Sequence, residues 1–282
     1  MEPLNLSGRV ALITGGARGI GLETGRALYA RGASVALLDL DRSATEAAAA
    51  TLGERSLGLE CDVTDPGSVK LAVEATVQRF ERLDVAVANA GIAQSIETCR
   101  TIDDATFDRV IAVDLHGVVN TVRHCLPHVL EQRGHLLLIA SIYAFMNGTL
   151  QASYAMSKAA VEQYGRALRS ELAPHGVSAG VGYFGFVDTA MVADALADPV
   201  ADRMLESTPR LLRKKISPAE AGEALAAGIE RRAARTVRPR RWLGWWHLRG
   251  ILNPLADRWT ERQPEIAVAI ADSERATLTD RS

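Results

Sequence analysis

Arg9-Val-Ala-Leu-Ile-Thr-Gly-Gly-Ala-Arg-Gly-Ile-Gly21 runs from a short apolar segment through a glycine-rich turn into a helical pattern that continues to Ala30. The order is strand, turn, helix. Gly15 permits a tight turn, and Gly19 and Gly21 let the backbone and a ligand approach closely, while the helix N-terminus offers unpaired N–H groups to a pyrophosphate. The spacing Gly-x-x-x-Gly-x-Gly differs from the general dinucleotide fingerprint, so a turn that serves packing alone stays open at this point.

The same alternation continues outward. Ser34-Val-Ala-Leu-Leu38 reads as a second strand ending in Asp39, placed to hydrogen-bond an adenosine ribose and to repel a 2′-phosphate. Arg18 and Arg42 argue the other way, since guanidinium groups could hold that phosphate. NAD is the expectation, and NADP is the alternative. Ser43 is expected to cap a helix over 44–52. A third strand near Ser56 to Glu60 runs into Asp62 and Val63, and Pro66 suits the first turn of a helix to about Phe80. The fourth strand, 84–88, ends at Asn89-Ala90-Gly91. Strands alternating with helices across short connections predict an α/β fold, a doubly wound parallel sheet of about seven strands with helices on both faces. Ligands of such sheets bind beyond the carboxyl ends of the strands. Gly15, Asp39, Asp62, Asn89 and Ser141 all fall there.

Chemistry is expected in the stretch Ile139 to Ala160. Tyr154 and Lys158, four residues apart in a helical segment, share one helix face. A neighbouring ammonium favours the phenolate and lowers the tyrosine pKa, which would make Tyr154 a general acid or base. Ser141, at the end of the apolar run 135–140, is placed to hydrogen-bond a substrate oxygen whose charge changes during reaction.

With 282 residues, 48% hydrophobic and 23% charged, the composition is that of a soluble globular protein with one main core. A net charge of −2 gives no case for nucleic acid. Three widely spaced cysteines, Cys61, Cys99 and Cys125, read as reduced thiols. The absence of a basic start followed by an apolar run, and of any segment approaching a bilayer span, makes a cytoplasmic location the expectation. His116, His124, His128 and His135 lack carboxylates or thiols at metal-ligand spacing, so no metal is expected.

Thr14-Gly-x-x-x-Gly-Ile-Gly21, Asp62, Asn89-Ala-Gly91, Ser141 and Tyr154-x-x-x-Lys158, in this order, resemble the short-chain dehydrogenase/reductase family over roughly residues 6–240. The resemblance implies an oxidoreductase using NAD(P). Arg18 and Ile20 would join the glycines around the cofactor, Asp62 with Val63 would meet the adenine, and Asn89, with Ala90 and Gly91 beside it, would brace the turn. Lys158 would also bind the nicotinamide ribose, and Val187 and Thr189 the carboxamide. Relatives associate through their long helices, so a homo-oligomer, dimer or tetramer, is implied.

Two positions depart from the family. Asp114 stands where an asparagine supports a water next to the catalytic lysine, and its charge is expected to alter the Lys158 pKa. Phe184 stands where the family tends to have proline. Tyr143, Phe145, Met146 and Leu150, with Met191, Val192 and Leu196 in a lid after Thr189, suggest an apolar pocket, although core packing explains some of them equally. The substrate expected is an apolar secondary alcohol or its ketone. Residues 1–241 read as the catalytic domain and 242–282 as a helical extension. That extension opens with tryptophans behind a basic run, Arg231 to Arg241. Packing on a lid or a neighbouring subunit is the expectation for the tryptophans, with membrane-surface contact as the alternative. Residues 275–282 are expected to fray. A cofactor-binding protein with little turnover, its site decayed at Asp114 and Phe184, is the competing function.

Overall fold

The computed structural model describes residues 1–201, 204 and 210–280. Seven parallel strands form one sheet in the order β3-β2-β1-β4-β5-β6-β7. They are β1 (Val10–Thr14), β2 (Ser34–Asp39), β3 (Ser56–Glu60), β4 (Val85–Ala88), β5 (His135–Ile139), β6 (Ser178–Phe184) and β7 (Arg235–Arg238). Strands β1, β4, β5 and β6 are buried along their whole length, because helices cover both faces. Their residues therefore read as continuous apolar runs rather than alternating ones. The order reverses between β1 and β4, which opens a crevice at the carboxyl ends of those strands.

The helices are α1 (Gly19–Ala30), α2 (Arg42–Leu52), α3 (Pro66–Phe80), α4 (Asp104–Ile111), α5 (Gly117–Glu131), α6 (Ala152–Leu172), α7 (Ala190–Leu196), α8 (Arg210–Arg213), α9 (Pro218–Glu230), α10 (Trp242–Thr260) and α11 (Pro264–Asp280). Asp41, not Ser43, caps α2, accepting from Ala44 N, and the Ser43 hydroxyl instead donates to the Asp41 carboxylate. A carboxylate two residues before the expected cap starts the helix at Arg42. Strand β6 runs on to Phe184, which pairs with Arg238 on β7. A π-helical turn, Ala112–His116, joins α4 to α5. It carries Asp114 at its centre.

Residues 275–280 do not fray as the sequence suggested, since α11 continues to Asp280, and residues 281 and 282 lie outside the described residues. Helix α10 packs on the main domain through its tryptophans. Trp242 is 1% exposed and belongs to the core that lies on one face of the sheet. Gly185 is what admits it, since a Cβ there would come within 2.6 Å of the indole nitrogen. Trp246 stacks edge-on to Tyr183, with the Arg235 guanidinium 4.2 Å from its ring centre. Arg249 closes an ion pair to the buried Glu162 on α6 at 2.7 Å.

Removing a fully buried indole leaves a void that the surroundings refill only in part, so Trp242→Ala should cost about 3–5 kcal/mol of stability. Urea denaturation followed by circular dichroism checks this. A loss below about 1 kcal/mol would show that α10 contributes little to the core.

Candidate active site

The glycine turn is built by close contact between backbones. Gly15 and Gly19 have φ of +64° and +58°, the left-handed region that side chains disfavour. A Cβ on Gly21 would lie 2.0 Å from the Gly15 carbonyl oxygen, so no side chain fits there. Asn89, just past β4, donates from its amide nitrogen to the carbonyls of Thr14 (2.9 Å) and Gly15 (3.1 Å). The Thr14 hydroxyl accepts from the backbone N–H groups of Asn89 and Ala90. Together these contacts lock the end of β1 to the end of β4. Helix α1 begins at Gly19 with no side-chain cap from Arg18, which leaves its first N–H groups directed into the crevice.

Asp39 ends β2 beside this turn. Its carboxylate accepts from Ala17 N at 3.3 Å and from Leu40 N at 2.9 Å. Arg18 is exposed, and Arg42 is held by Glu46 at 2.8 Å. Asp62 accepts from the Thr64 N–H and hydroxyl, which fixes the turn after β3, and Val63 is buried behind it. Thr189 caps α7 by accepting from Val192 N, and Val187 forms an isolated bridge with Ile216.

The predicted trio converges. Ser141, at the end of β5, is 7% exposed and its hydroxyl lies 3.4 Å from the Phe184 carbonyl. Ser141 and the half-buried Tyr154 line the same cavity of about 660 Å³. Lys158 is one helical turn further along α6, its ammonium nitrogen 5.3 Å from the centre of the Tyr154 ring. The phenol ring meets Tyr143 edge to face, with centroids 5.9 Å apart.

Asp114 is fully buried and forms an ion pair with Lys158 at 2.9 Å, while its second oxygen accepts from Ile92 N at 2.8 Å. Gly91 gives way to this pair: a Cβ there would sit 3.2 Å from the carboxylate and 3.3 Å from the ammonium. Burial works against the charge on Lys158, but Asp114 outweighs it and the lysine pKa is raised. For Tyr154 the sequence-based expectation is reversed. Burial raises its pKa, Lys158 pulls it down, Asp114 pushes it up again, and the net direction is upward. The ammonium's effect on the phenol is diminished because a carboxylate stands beside it.

Sequence reasoning missed Gln94. It is 3% exposed, and its carbonyl oxygen accepts from Ser153 N at 2.9 Å, which supplies the cap that Gln151 does not give α6. Its amide donates to Leu150 O. A glutamine five residues beyond Asn89, in an irregular segment, gives no periodic signal. The lid residues Met191, Val192 and Leu196 and the loop residues Tyr143 and Met146 face the cavity as expected. Phe145 and Leu150 instead pack in hydrophobic clusters. Phe184, also buried, borders the cavity, and its side chain belongs to the second hydrophobic cluster, with Ile139 and Leu225. The side opposite the sheet is supplied by α10, through Trp245, Leu252 and Ala256, and by Ile266 of α11. Among the described residues no cluster of three or more His, Cys, Asp or Glu is placed to hold a metal ion.

A family model for short chain dehydrogenases matches residues 9–199, and the chain belongs to the short-chain dehydrogenase/reductase family. Its class is therefore an oxidoreductase acting on CH–OH groups with NAD(P) as acceptor. Cis-4-hydroxycyclohexanecarboxylate dehydrogenase of Sinomonas cyclohexanicum is 36% identical over 77% of this chain and 88% of its own length. The 3-oxoacyl-(acyl-carrier-protein) reductase of Escherichia coli is 31% identical over 73% of this chain and 84% of its own. The crystal structure of 3-ketoacyl-(acyl-carrier-protein) reductase from Brucella melitensis, complexed with NADH, superposes with a TM-score of 0.75 at 26% identity, covering 83% of this chain and 97% of that one.

Asp114→Asn tests this electrostatic balance. Losing an anion that raises the Tyr154 pKa should move any pH profile that follows ionisation of the Tyr154 phenol toward lower pH. Initial rates across pH 6–11, a range of about five units around the ordinary tyrosine value, check it. A shift toward higher pH would mean that Asp114 acts chiefly by keeping Lys158 charged.

Proposed function

We propose that this chain interconverts an apolar secondary alcohol and its ketone with NAD, using Tyr154 as general acid or base. The observation that carries the reading is the placement of the Ser141 hydroxyl and the Tyr154 phenol on one wall of an apolar cavity, with Lys158 and Asp114 buried behind. When bound, the nicotinamide supplies hydride transfer. Ser141 donates a hydrogen bond to the substrate oxygen as its charge grows. Tyr154 takes the alcohol proton in oxidation and returns it in reduction. Lys158 stabilises the phenolate and binds the nicotinamide ribose, and Asp114 holds that lysine in place and charged. Because the phenol pKa is raised, Tyr154 rests protonated at neutral pH, the form that serves ketone reduction.

The crivice fits a dinucleotide in its own details. Gly15, Arg18, Gly19, Ile20 and Gly21 would carry the pyrophosphate on the open start of α1, Asp62 and Val63 the adenine, Asn89, Ala90 and Gly91 the adjoining edge, and Val187 and Thr189 the carboxamide. Asp39 favours NAD because its carboxylate stands beside the turn, whereas Arg42 is already paired with Glu46 and less available to a 2′-phosphate. The apolar substrate follows from the cavity wall. Tyr143, Met146, Met191, Leu196 and Trp245 dominate it, and the one carboxylate there among the described residues, Asp257, accepts a hydrogen bond from Asn147 at 3.0 Å. At roughly 30 Å³ for each water-sized group, the cavity admits a substrate of about twenty non-hydrogen atoms.

Tyr154→Phe should lower kcat for a cyclic or long-chain secondary alcohol by about 10²–10⁴-fold while NAD binding is retained, as measured by NADH formation and by fluorescence titration. An unchanged rate would reject the role. Asp39→Asn should raise kcat/KM with NADP relative to NAD by about ten-fold, because it removes like-charge repulsion against the 2′-phosphate. A wild-type enzyme that already prefers NADP would overturn the cofactor assignment.

A further inference from the structure

Helix α10 has two apolar faces, and the core accounts for only one. Trp242 and Trp246 turn inward, and Trp245, Leu252 and Ala256 border the cavity. On the outer face Leu248, Ile251, Leu255 and Trp259 recur at helical spacing and are 53%, 67%, 57% and 48% exposed. Four large apolar side chains in one exposed row are unusual on a soluble surface. Leu255 and Trp259 also line the cavity, so the exposed row runs without a break into its mouth.

Along its own stretch of chain, the charges nearest this row are of one sign. Arg258 and Arg262 are exposed beside it. At about 100° per residue, Asp257 and Glu261 fall roughly 160° and 120° away from Leu255, on other sides of the helix. Asp257 is in addition engaged with Asn147. The basic run before the helix contributes little to this surface: Arg232 bonds to the carbonyls of Gly134 and Arg133, Arg238 is half-buried, and Arg235 stacks on Trp246. The tryptophans that suggested a membrane in the sequence are thus mostly spent on the fold. The outward row, Trp259 apart, is a different set of residues.

We propose that the outer face of α10 docks on an anionic lipid bilayer, with Leu248, Ile251, Leu255 and Trp259 entering the headgroup boundary and Arg258 and Arg262 meeting lipid phosphates. An amphipathic helix lying in the interface combines these two elements, apolar burial and attraction to anionic headgroups. A second copy of the chain is the less fitting occupant. Under two-fold symmetry it would bring the same arginines toward one another, and a rigid partner would seal the mouth that Leu255 and Trp259 border. A fluid bilayer leaves that mouth facing the phase in which an apolar solute is dissolved. No helix among the described residues is long and apolar enough to cross a membrane, so the contact is peripheral.

The test is co-sedimentation of the full chain with vesicles of phosphatidylcholine containing phosphatidylglycerol, and with vesicles of phosphatidylcholine alone. The proposal expects partitioning onto the anionic vesicles at least about ten-fold above the neutral ones, weakened by salt. The double substitution Leu248→Glu and Ile251→Glu, at positions outside the cavity, should lower that partitioning at least ten-fold without changing the melting curve or the rate on a water-soluble alcohol. Wild-type protein that stays in the supernatant, or pelleting that the double substitution leaves intact, overturns the proposal. So does a soluble wild-type oligomer that the double substitution dissociates, which would assign the row to a second copy. Pelleting is read without cofactor or turnover, so its failure leaves the oxidoreductase reading standing, and the reverse also holds.

Discussion

The buried ion pair between Asp114 and Lys158 is the constraint on which the site depends. Three elements meet in it: the π-helical turn that carries the carboxylate, the helix that carries the ammonium and the phenol, and the segment after β4 whose Ile92 N–H completes the carboxylate's bonding. Both charges are withdrawn from water, so neither is tolerable without the other. Removing one partner of such a pair leaves an uncompensated buried charge and costs about 3–5 kcal/mol. The pair therefore fixes where α6 sits relative to the crevice, and with it the phenol of Tyr154 against the hydroxyl of Ser141.

Its electrostatic consequence is less simple than its structural one. An ammonium beside a phenol lowers the phenol's pKa, but an ammonium already matched by a carboxylate does so less, and burial acts in the opposite sense. The phenol of Tyr154 is accordingly held in its protonated form at neutral pH. An asparagine in place of Asp114 would leave more of the lysine's charge to act on the tyrosine, so this one residue sets how readily the phenol ionises.

Much of the nucleotide-binding half was legible because its signals are local. Gly15, Gly19 and Gly21 report backbone conformations and close approaches that only glycine allows, and continuous apolar runs report strands buried on both faces. Ser141, Tyr154 and Lys158 could be placed from strand ends and helical spacing. What escaped the sequence depends on distant partners. Gln94 caps a helix that starts fifty-odd residues later in the chain, and Trp242 fills a space opened by Gly185. Neither pairing has a period or a motif. Phe145 and Leu150 were indistinguishable from pocket residues because apolar side chains next to a site look alike until their direction is known. The raised Tyr154 pKa escaped for a related reason: the sign depends on burial and on the position of Asp114, and spacing gives only the lysine's share.

The carboxyl-terminal helices give the common fold its particular cavity. Asn253 donates to the Phe145 carbonyl at 2.6 Å, and Arg100 pairs with Glu274 at 2.8 Å, so α10 is tied to the loop before α6 and α11 to the segment before α4. These ties hold in place the cavity wall that α10 and α11 supply, whose side chains are mostly apolar. A crystal structure with NAD and a cyclic or long-chain ketone bound tests the central claim most directly. The account predicts the carbonyl oxygen within about 2.6–3.2 Å of both the Ser141 hydroxyl and the Tyr154 phenol, with the apolar body of the ligand against α10. A ligand whose oxygen lies away from both hydroxyls, or a nicotinamide that cannot reach the reacting carbon, would contradict it.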